Sequence, residues 1–415
     1  MNSQDITLMM YNITLLPIIF FSLLYIILIF INLFVNKSPQ RTYRQLKELP
    51  FISVQVPTFN DPIAVRCVEK CMRFDYPQDK YEIIIADDST NLNTQALLKR
   101  FATDNPGFIK YIHRDNREGF KPGALKNAMK ITRGEIIVIF DADWIPRPEF
   151  LKTVIRPFSN PRVAIVQTRQ GVYNHKTNLI TRFAAYLLMI YSTIIMPINN
   201  KINCVFFCGT AGAIRRKAFE RVGGWNLNSI TEDSDLSVNL LLRGYETVFL
   251  DFETPSEVPE TFESFIKQQM RWCYGNVRVF FDNAFKIIFS EGISLKQRAM
   301  IIFLTLGNVT APIVVLMTLF GLVGWFSGDL HLFTISDIIN PTVKFVYTAG
   351  FMLMGVFTLY KRKMMDEIPY LFLSAFTMGV ILSVAISIAF VKAVFNKKLH
   401  WFCTPKIANE LIALK

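Results

Sequence analysis

Residues 135–143 read Glu-Ile-Ile-Val-Ile-Phe-Asp-Ala-Asp. Five consecutive apolar residues, 136–140, suit a strand buried on both faces, the kind found in parallel sheets. The run stops on Asp141 and Asp143, so two carboxylates stand at the end of one strand. Asp-x-Asp is common, and a solvated turn is its ordinary meaning. Behind a buried strand the spacing instead suits a hard, oxygen-loving ion such as Mg2+ or Mn2+, whose open positions take diphosphate oxygens.

Outward from this stretch, short β-branched runs alternate with amphipathic ones of helix length. Residues 51–56, 82–86, 109–113, 135–140 and 163–167 read as strands, with helices at 63–74, 94–102, 123–131 and 149–158 between them. The alternation predicts an α/β domain with a doubly wound, mostly parallel sheet. In such sheets ligands bind beyond the carboxyl ends of the strands. The first strand ends in Pro57-Thr58-Phe59-Asn60, the second in Asp87-Asp88-Ser89 and the fourth in Asp141-Ala142-Asp143. Four carboxylates at converging strand ends repel unless a cation or donor hydrogens compensate them, and a bound metal with a sugar nucleotide supplies both. No G-x-G-x-x-G comes after the first strand and no G-x-x-x-x-G-K-[ST] occurs, which argues against dinucleotide enzymes and P-loop NTPases.

Further along, Phe207-Cys208-Gly209-Thr210-Ala211-Gly212 is a small-residue loop that lets a ligand approach backbone. Thr231-Glu232-Asp233 precedes an amphipathic run at 236–242 and resembles a helix start with acids in its first turn. Gln268-Gln269-Met270-Arg271-Trp272 lies on a helix opening at Thr261, where positions 268, 271 and 272 share one face. Arg offers bidentate phosphate contact and Trp a platform for a sugar ring.

Composition places this domain at a membrane. Of 415 residues, 51% are hydrophobic, 37 are Phe and only 19% are charged; the mean hydropathy is +0.30. Residues 14–35 carry no charge and reach across a hydrocarbon core of about 30 Å. Further apolar blocks lie at 299–326, 343–360 and 368–395, the last with a lone Lys392, giving about four transmembrane helices. A shorter stretch, 183–198, reads as a buried or interfacial helix. Lys37, Arg41, Arg44 and Lys47 come after the first span and Lys361, Arg362 and Lys363 separate the last two, so the positive-inside bias predicts a cytosolic catalytic domain in an integral membrane protein. Lys397, Lys398 and Lys406 leave the side of the tail open. The net charge of +12 is accounted for by anionic lipid and a diphosphate rather than nucleic acid. The expected organisation is an anchor at 1–36, a basic linker at 37–49, the catalytic domain at 50–275, an interfacial region at 276–298, membrane helices at 299–395 and a basic tail at 396–415. Six cysteines (67, 71, 204, 208, 273 and 403) have no His close to the two four-spaced pairs and read as packing residues.

The order of motifs, Asp-Asp, Asp-x-Asp, Thr-Glu-Asp and Gln-x-x-Arg-Trp ahead of membrane helices, resembles the inverting family 2 glycosyltransferases of GT-A fold. The likeness spans 50–290 and is greatest to the processive branch of cellulose, hyaluronan and chitin synthases and the cellulose-synthase-like mannan synthases, with Gln167-Thr168-Arg169 similar to the last. Asn60-Asp61, Ser89 and Lys126 depart from residues common there. The resemblance implies that Pro57, Thr58, Asp87, Asp88 and Lys121 hold the nucleotide and that Asp141 and Asp143 hold the metal (Mg2+ or Mn2+), Asp141 also meeting the diphosphate. It implies that Gln268 and Arg271 clamp the diphosphate. It further implies that Phe207, Cys208, Gly209 and Thr210 with Trp272 meet the acceptor, and that Asp233, beside Glu232, is the catalytic base. The implied partners are a UDP- or GDP-hexose donor, a glycan or lipid-linked acceptor and the bilayer; oligomeric state stays open. Three functions compete: elongation of a β-linked polysaccharide, addition of one sugar to a lipid-linked or glycolipid acceptor, and a catalytically silent scaffold or transport protein.

Overall fold

In the computed structural model, residues 3–35, 43, 46–326 and 349–399 are described. Lys37, Arg41, Arg44, Cys403 and Lys406, and the block at 343–360 up to residue 348, lie outside them.

Seven strands form one sheet: β1 (Ile52–Thr58), β2 (Tyr81–Asp87), β3 (Ile109–His113), β4 (Ile136–Ile139), β5 (Val163–Val172), β6 (Gly212–Arg215) and β7 (Glu246–Ser256). Their order is β3-β2-β1-β4-β6-β5-β7. β1 to β4 pair in parallel, as do β5 and β7, while β6 runs antiparallel between β4 and β5. The sheet is thus mixed and mostly parallel. In register, Thr58 lies beside Asp87 and Asp87 beside His113, which lines up one carboxyl edge.

The helices before β6 are α1 (Ser3–Val35), α2 (Ala64–Cys71), α3 (Leu92–Thr103), α4 (Phe120–Ala128), α5 (Phe150–Val154), α6 (Leu179–Ile190) and α7 (Met196–Lys201), the last two joined by a π turn, Tyr191–Ile195. After it come α8 (Arg216–Arg221), α9 (Glu232–Leu242), α10 (Phe262–Phe289), α11 (Leu295–Leu306), α12 (Thr310–Phe326), α13 (Gly350–Lys361) and α14 (Ile368–Val394). Each sheet face is buried. α2 presents Ala64, Cys67, Val68 and Cys71, spaced as one helix face, to the core containing Val54, Val56, Ile83 and Val138. On the other face Ile137 and Ile139 pack with Leu125, Phe207, Leu236 and Leu240.

Among the described residues, four helical stretches are long and apolar enough to cross a membrane: Met9–Phe34, Leu179–Lys201, Leu295–Phe326 and Met365–Val394. Three of them are the apolar blocks expected at 14–35, 299–326 and 368–395. The stretch expected at 183–198 is a helix of 23 residues, because a capping box between Asn178 and Thr181 starts it earlier and polar residues 199–201 remain helical. It is 61% buried within the protein, against 17–22% for the other three. Conversely, Gly350–Lys361 is by itself shorter than a span.

The expected boundary at 275 also falls inside α10, one continuous helix of 28 residues. Its second half exposes Phe281, Phe285, Ile288 and Phe289. These are spaced along one face and lead into the apolar Leu295–Phe326.

Candidate functional site

The carboxyl edge of β1, β2 and β4 opens into a cleft of about 210 Å3. Pro57 and Thr58 from β1, Asp88 after β2 and the pair Asp141 and Asp143 after β4 line it. Opposite stand Glu232 and Asp233 from the start of α9, and Gln268, Arg271 and Trp272 from α10. These acids and cations lie far apart in the chain, and parallel strands bring them to one end of the sheet.

Asp87 does not line the cleft. It lies beneath, accepting hydrogen bonds from Tyr111 Oη (2.8 Å) and the Ser89 amide (3.0 Å), with His113 Nδ1 3.0 Å away. Asp88 is held in a two-point ion pair by Arg114, at 2.5 and 2.6 Å. Of the four acids expected to need a cation or donor hydrogens, this pair is compensated by the chain itself, chiefly through residues of and just after β3.

Lys121, on α4, reaches Asp141 Oδ1 at 2.6 Å and donates to the Gly209 carbonyl at 3.0 Å. Burial works against its charge, but Asp141, Glu232 and Asp233 outweigh it and raise the pKa of the ammonium. Asp143 is buried and its Oδ2 accepts the Glu257 amide at 3.4 Å. Among the described residues no cluster of three or more His, Cys, Asp or Glu surrounds a metal position. Two carboxylates at one strand end nevertheless fit an ion that keeps waters and phosphate oxygens for its other positions, as Mg2+ does.

The loop 207–210 is strapped to its surroundings. Gln167 accepts the Cys208 amide (2.9 Å) and donates to the Thr210 carbonyl (3.0 Å). Ser237 of α9 accepts the Phe207 amide (2.8 Å) and donates to the Asp233 carbonyl (2.7 Å). The Thr210 hydroxyl in turn accepts the Asp141 amide at 2.9 Å. Gly209 has φ +78°, and a Cβ there would sit 3.0 Å from Asp233 Oδ2, so the glycine allows both the turn and the closeness of Asp233 to the loop.

Asp233 Oδ1 accepts the Ser234 amide at 2.8 Å. Burial raises the Asp233 pKa, and burial together with Asp233 pushes Glu232 up to about 7. The two adjacent acids are therefore coupled, and both hold their protons to higher pH than ordinary carboxylates. α9 is fixed against α10 by Ser234 Oγ donating to Asn276 (2.8 Å) and Asn283 donating to Asp235 (3.3 Å). Between them Gly275 meets Thr231 so closely that a Cβ would lie 2.3 Å from Thr231 Cγ2.

A second cavity, about 280 Å3, adjoins the cleft and shares Cys208, Thr210, Asp233 and Trp272 with it. Phe207, Gln269 and Asn276 line this side, and Tyr191, Ser192, Met196 and Leu304 form its wall toward the membrane helices. Two cleft features escape the sequence reading. Glu257 comes directly after β7, a parallel strand not foreseen, and the strand-end rule finds it once β7 is known. Phe59 lines the cleft under the Arg117 guanidinium, 3.2 Å from its ring centre, a pairing across 58 positions that no local pattern announces.

Comparison with known proteins bears on the family and the fold. Residues 136–361 match the profile of "Glycosyl transferase family group 2". The chain is 32% identical over 280 residues to the probable glucomannan 4-beta-mannosyltransferase 7 of Oryza sativa subsp. japonica, covering 64% of this chain and 48% of that one. It is 31% identical over 300 residues to glucomannan 4-beta-mannosyltransferase 2 of Arabidopsis thaliana, covering 67% and 56%. It thus spans about half the length of the curated relatives it matches. Among solved structures, the mannosyltransferase PcManGT of Pyrobaculum calidifontis, in complex with GDP-Man and Mn2+, superposes with a TM-score of 0.68 at 19% identity, over 94% of this chain and 99% of that one. That likeness bears on the fold.

Proposed function

Since the chain belongs to the glycosyl transferase family group 2, we propose that it is a membrane-bound, inverting mannosyltransferase that extends a β-linked glycan from GDP-mannose. The observation carrying this reading is the meeting of two cavities at Asp233 and Trp272, one lined by strand-end acids and cations and the other leading toward the membrane helices. The donor and sugar are those named for the relatives and the archaeal structure.

In the proposed reaction the donor lies in the cleft with its diphosphate against Lys121, Gln268 and Arg271 and its nucleoside near Pro57, Thr58 and Asp88. The acceptor comes from the second cavity, its terminal sugar on Trp272 and its hydroxyl at Asp233. Asp233 takes the hydroxyl proton as that oxygen attacks the anomeric carbon, the bond to the diphosphate breaks, and an α-linked donor becomes a β-linked product with release of GDP. Asp233 stands in the first turn of α9, where the helix dipole favours the carboxylate and offsets part of its burial. Lys121 and Arg271 stabilise the charge gathering on the leaving group. When bound at Asp141 and Asp143, a Mg2+ or Mn2+ ion supplies further positive charge there.

The test is transfer from radiolabelled GDP-mannose by the detergent-solubilised full chain with Mn2+ and a β-manno-oligosaccharide. The reading expects a ladder of longer oligomers and loss of turnover by orders of magnitude in Asp233→Asn. A single addition excludes elongation, and near-wild-type transfer by Asp233→Asn excludes the assigned base.

A further inference from the structure

The wall of the second cavity contains the π turn, Tyr191–Ile195, with Tyr191 and Ser192 facing the cavity. A π turn carries one residue more than the helix needs and leaves backbone carbonyls without their usual intrahelical donors. Two distant side chains converge on it. Asn32, fully buried on the first apolar helix, donates from Nδ2 to the Thr193 carbonyl at 2.9 Å and to the Ile194 carbonyl at 3.3 Å. Arg362, directly after α13, donates from Nε to Thr193 Oγ1 and from Nη2 to Ser192 Oγ, both at 2.8 Å. These donors come from opposite ends of the chain, and neither lines the cavity itself.

The turn sets the register of α7. Removing the extra residue's offset would rotate every later side chain by about 100° about the helix axis. Met196, which lines the cavity, would leave it, and Asn200, whose Oδ1 accepts the Phe249 amide at 2.9 Å, would lose its strand β7 partner. Retaining the π register therefore retains the shape of the cavity.

We propose that Asn32 and Arg362 are positioning residues for the acceptor: they hold the π turn from the membrane side and so make the membrane helices part of the acceptor cavity. This rests on the reading that the second cavity receives the acceptor. The full chain in detergent is compared as wild type, Asn32→Leu, Arg362→Met and Arg362→Lys. Leucine keeps the bulk of Asn32 and suits an apolar helix, so Asn32→Leu does not weaken insertion. Acceptor KM for a β-manno-oligosaccharide is expected to rise about tenfold in Asn32→Leu and Arg362→Met, the order of one or two lost hydrogen bonds, with partial recovery in Arg362→Lys. The thermal shift produced by GDP with Mn2+, which reports the donor side and a folded chain, is expected to stay at the wild-type value. Unchanged acceptor KM in both variants overturns the inference, as does a parallel loss of the GDP response in both. A wild type that transfers to no acceptor overturns the proposed function and this inference with it, whereas an active wild type with normal variants overturns the inference alone.

Discussion

At Gly275 a single added methyl group tests the register of α9 and α10. In an unobstructed helix interior, Gly→Ala is stabilising by about 1 kcal/mol. Here the added Cβ of Gly275→Ala would meet Thr231 Cγ2 at 2.3 Å, Oγ1 at 2.5 Å and Cβ at 2.9 Å. Carbon atoms rest about 3.5–4.0 Å apart, so Thr231 has to withdraw by about 1 Å. A rotamer change does not relieve it, because the Thr231 Cβ itself is too close. Overpacking of this kind costs about 1–3 kcal/mol, enough to cancel or reverse the propensity gain. Thr231 directly precedes the helix that carries Glu232 and Asp233, so the displacement passes directly to the proposed base. A misplacement of about 1 Å is worth roughly a hundredfold in rate. The measurement is kcat with GDP-mannose beside the GDP-induced thermal shift: kcat is expected to fall one to two orders of magnitude while nucleotide binding changes little. Adding Thr231→Ala removes the two nearest atoms and recovers part of the rate. A Gly275→Ala protein with a raised Tm and wild-type kcat refutes the reasoning, since it means that α9 and α10 are not in close register.

Glu232, pushed up to about 7 by burial and by Asp233, is expected to give the pH–rate profile an inflection near 7, and Glu232→Gln removes it. Stability depends on the same group: an acid with a raised folded pKa favours the folded state at low pH, and Glu232 loses that contribution as pH rises from the usual carboxylate range to about 7, readable from Tm across that window in wild type and Glu232→Gln. Arg114→Leu strands the buried Asp88 and is expected to destabilise the chain by about 3 kcal/mol, seen as a lower Tm even without substrate. Chelation of divalent ions is expected to abolish transfer, with Mn2+ restoring it; full activity in chelator would remove the metal from Asp141 and Asp143.

Much of the site was legible because the strand-end rule needs only local patterns. Residues 136–140 announce a buried strand, and the residues just beyond such a strand face the ligand edge. The same rule missed Glu257 because β7, with Asp251, Glu253 and Pro255 inside it, lacks the apolar run that marks β4. β6 is four residues long and is completed by pairing with β4 and β5, which no local pattern reveals. The sequence also placed four acids together without showing that Tyr111, His113 and Arg114 already satisfy two of them, since those contacts depend on the β2–β3 register. The π turn was hidden for a related reason: its stabilising donors lie more than 160 residues away.

α10 is a single rod with the proposed clamp at one end and the exposed Phe281, Phe285 and Phe289 at the other. From Trp272 to Phe289 is about 25 Å along the axis. Pivoting at the aromatic end, a tilt of about 3° moves the indole by about 1.3 Å, a distance on the scale that alters chemistry. A bilayer that engages those aromatic rings would therefore act on the cleft through the tilt of one rod, and rates measured in micelles and in bilayers of different chain length are expected to differ.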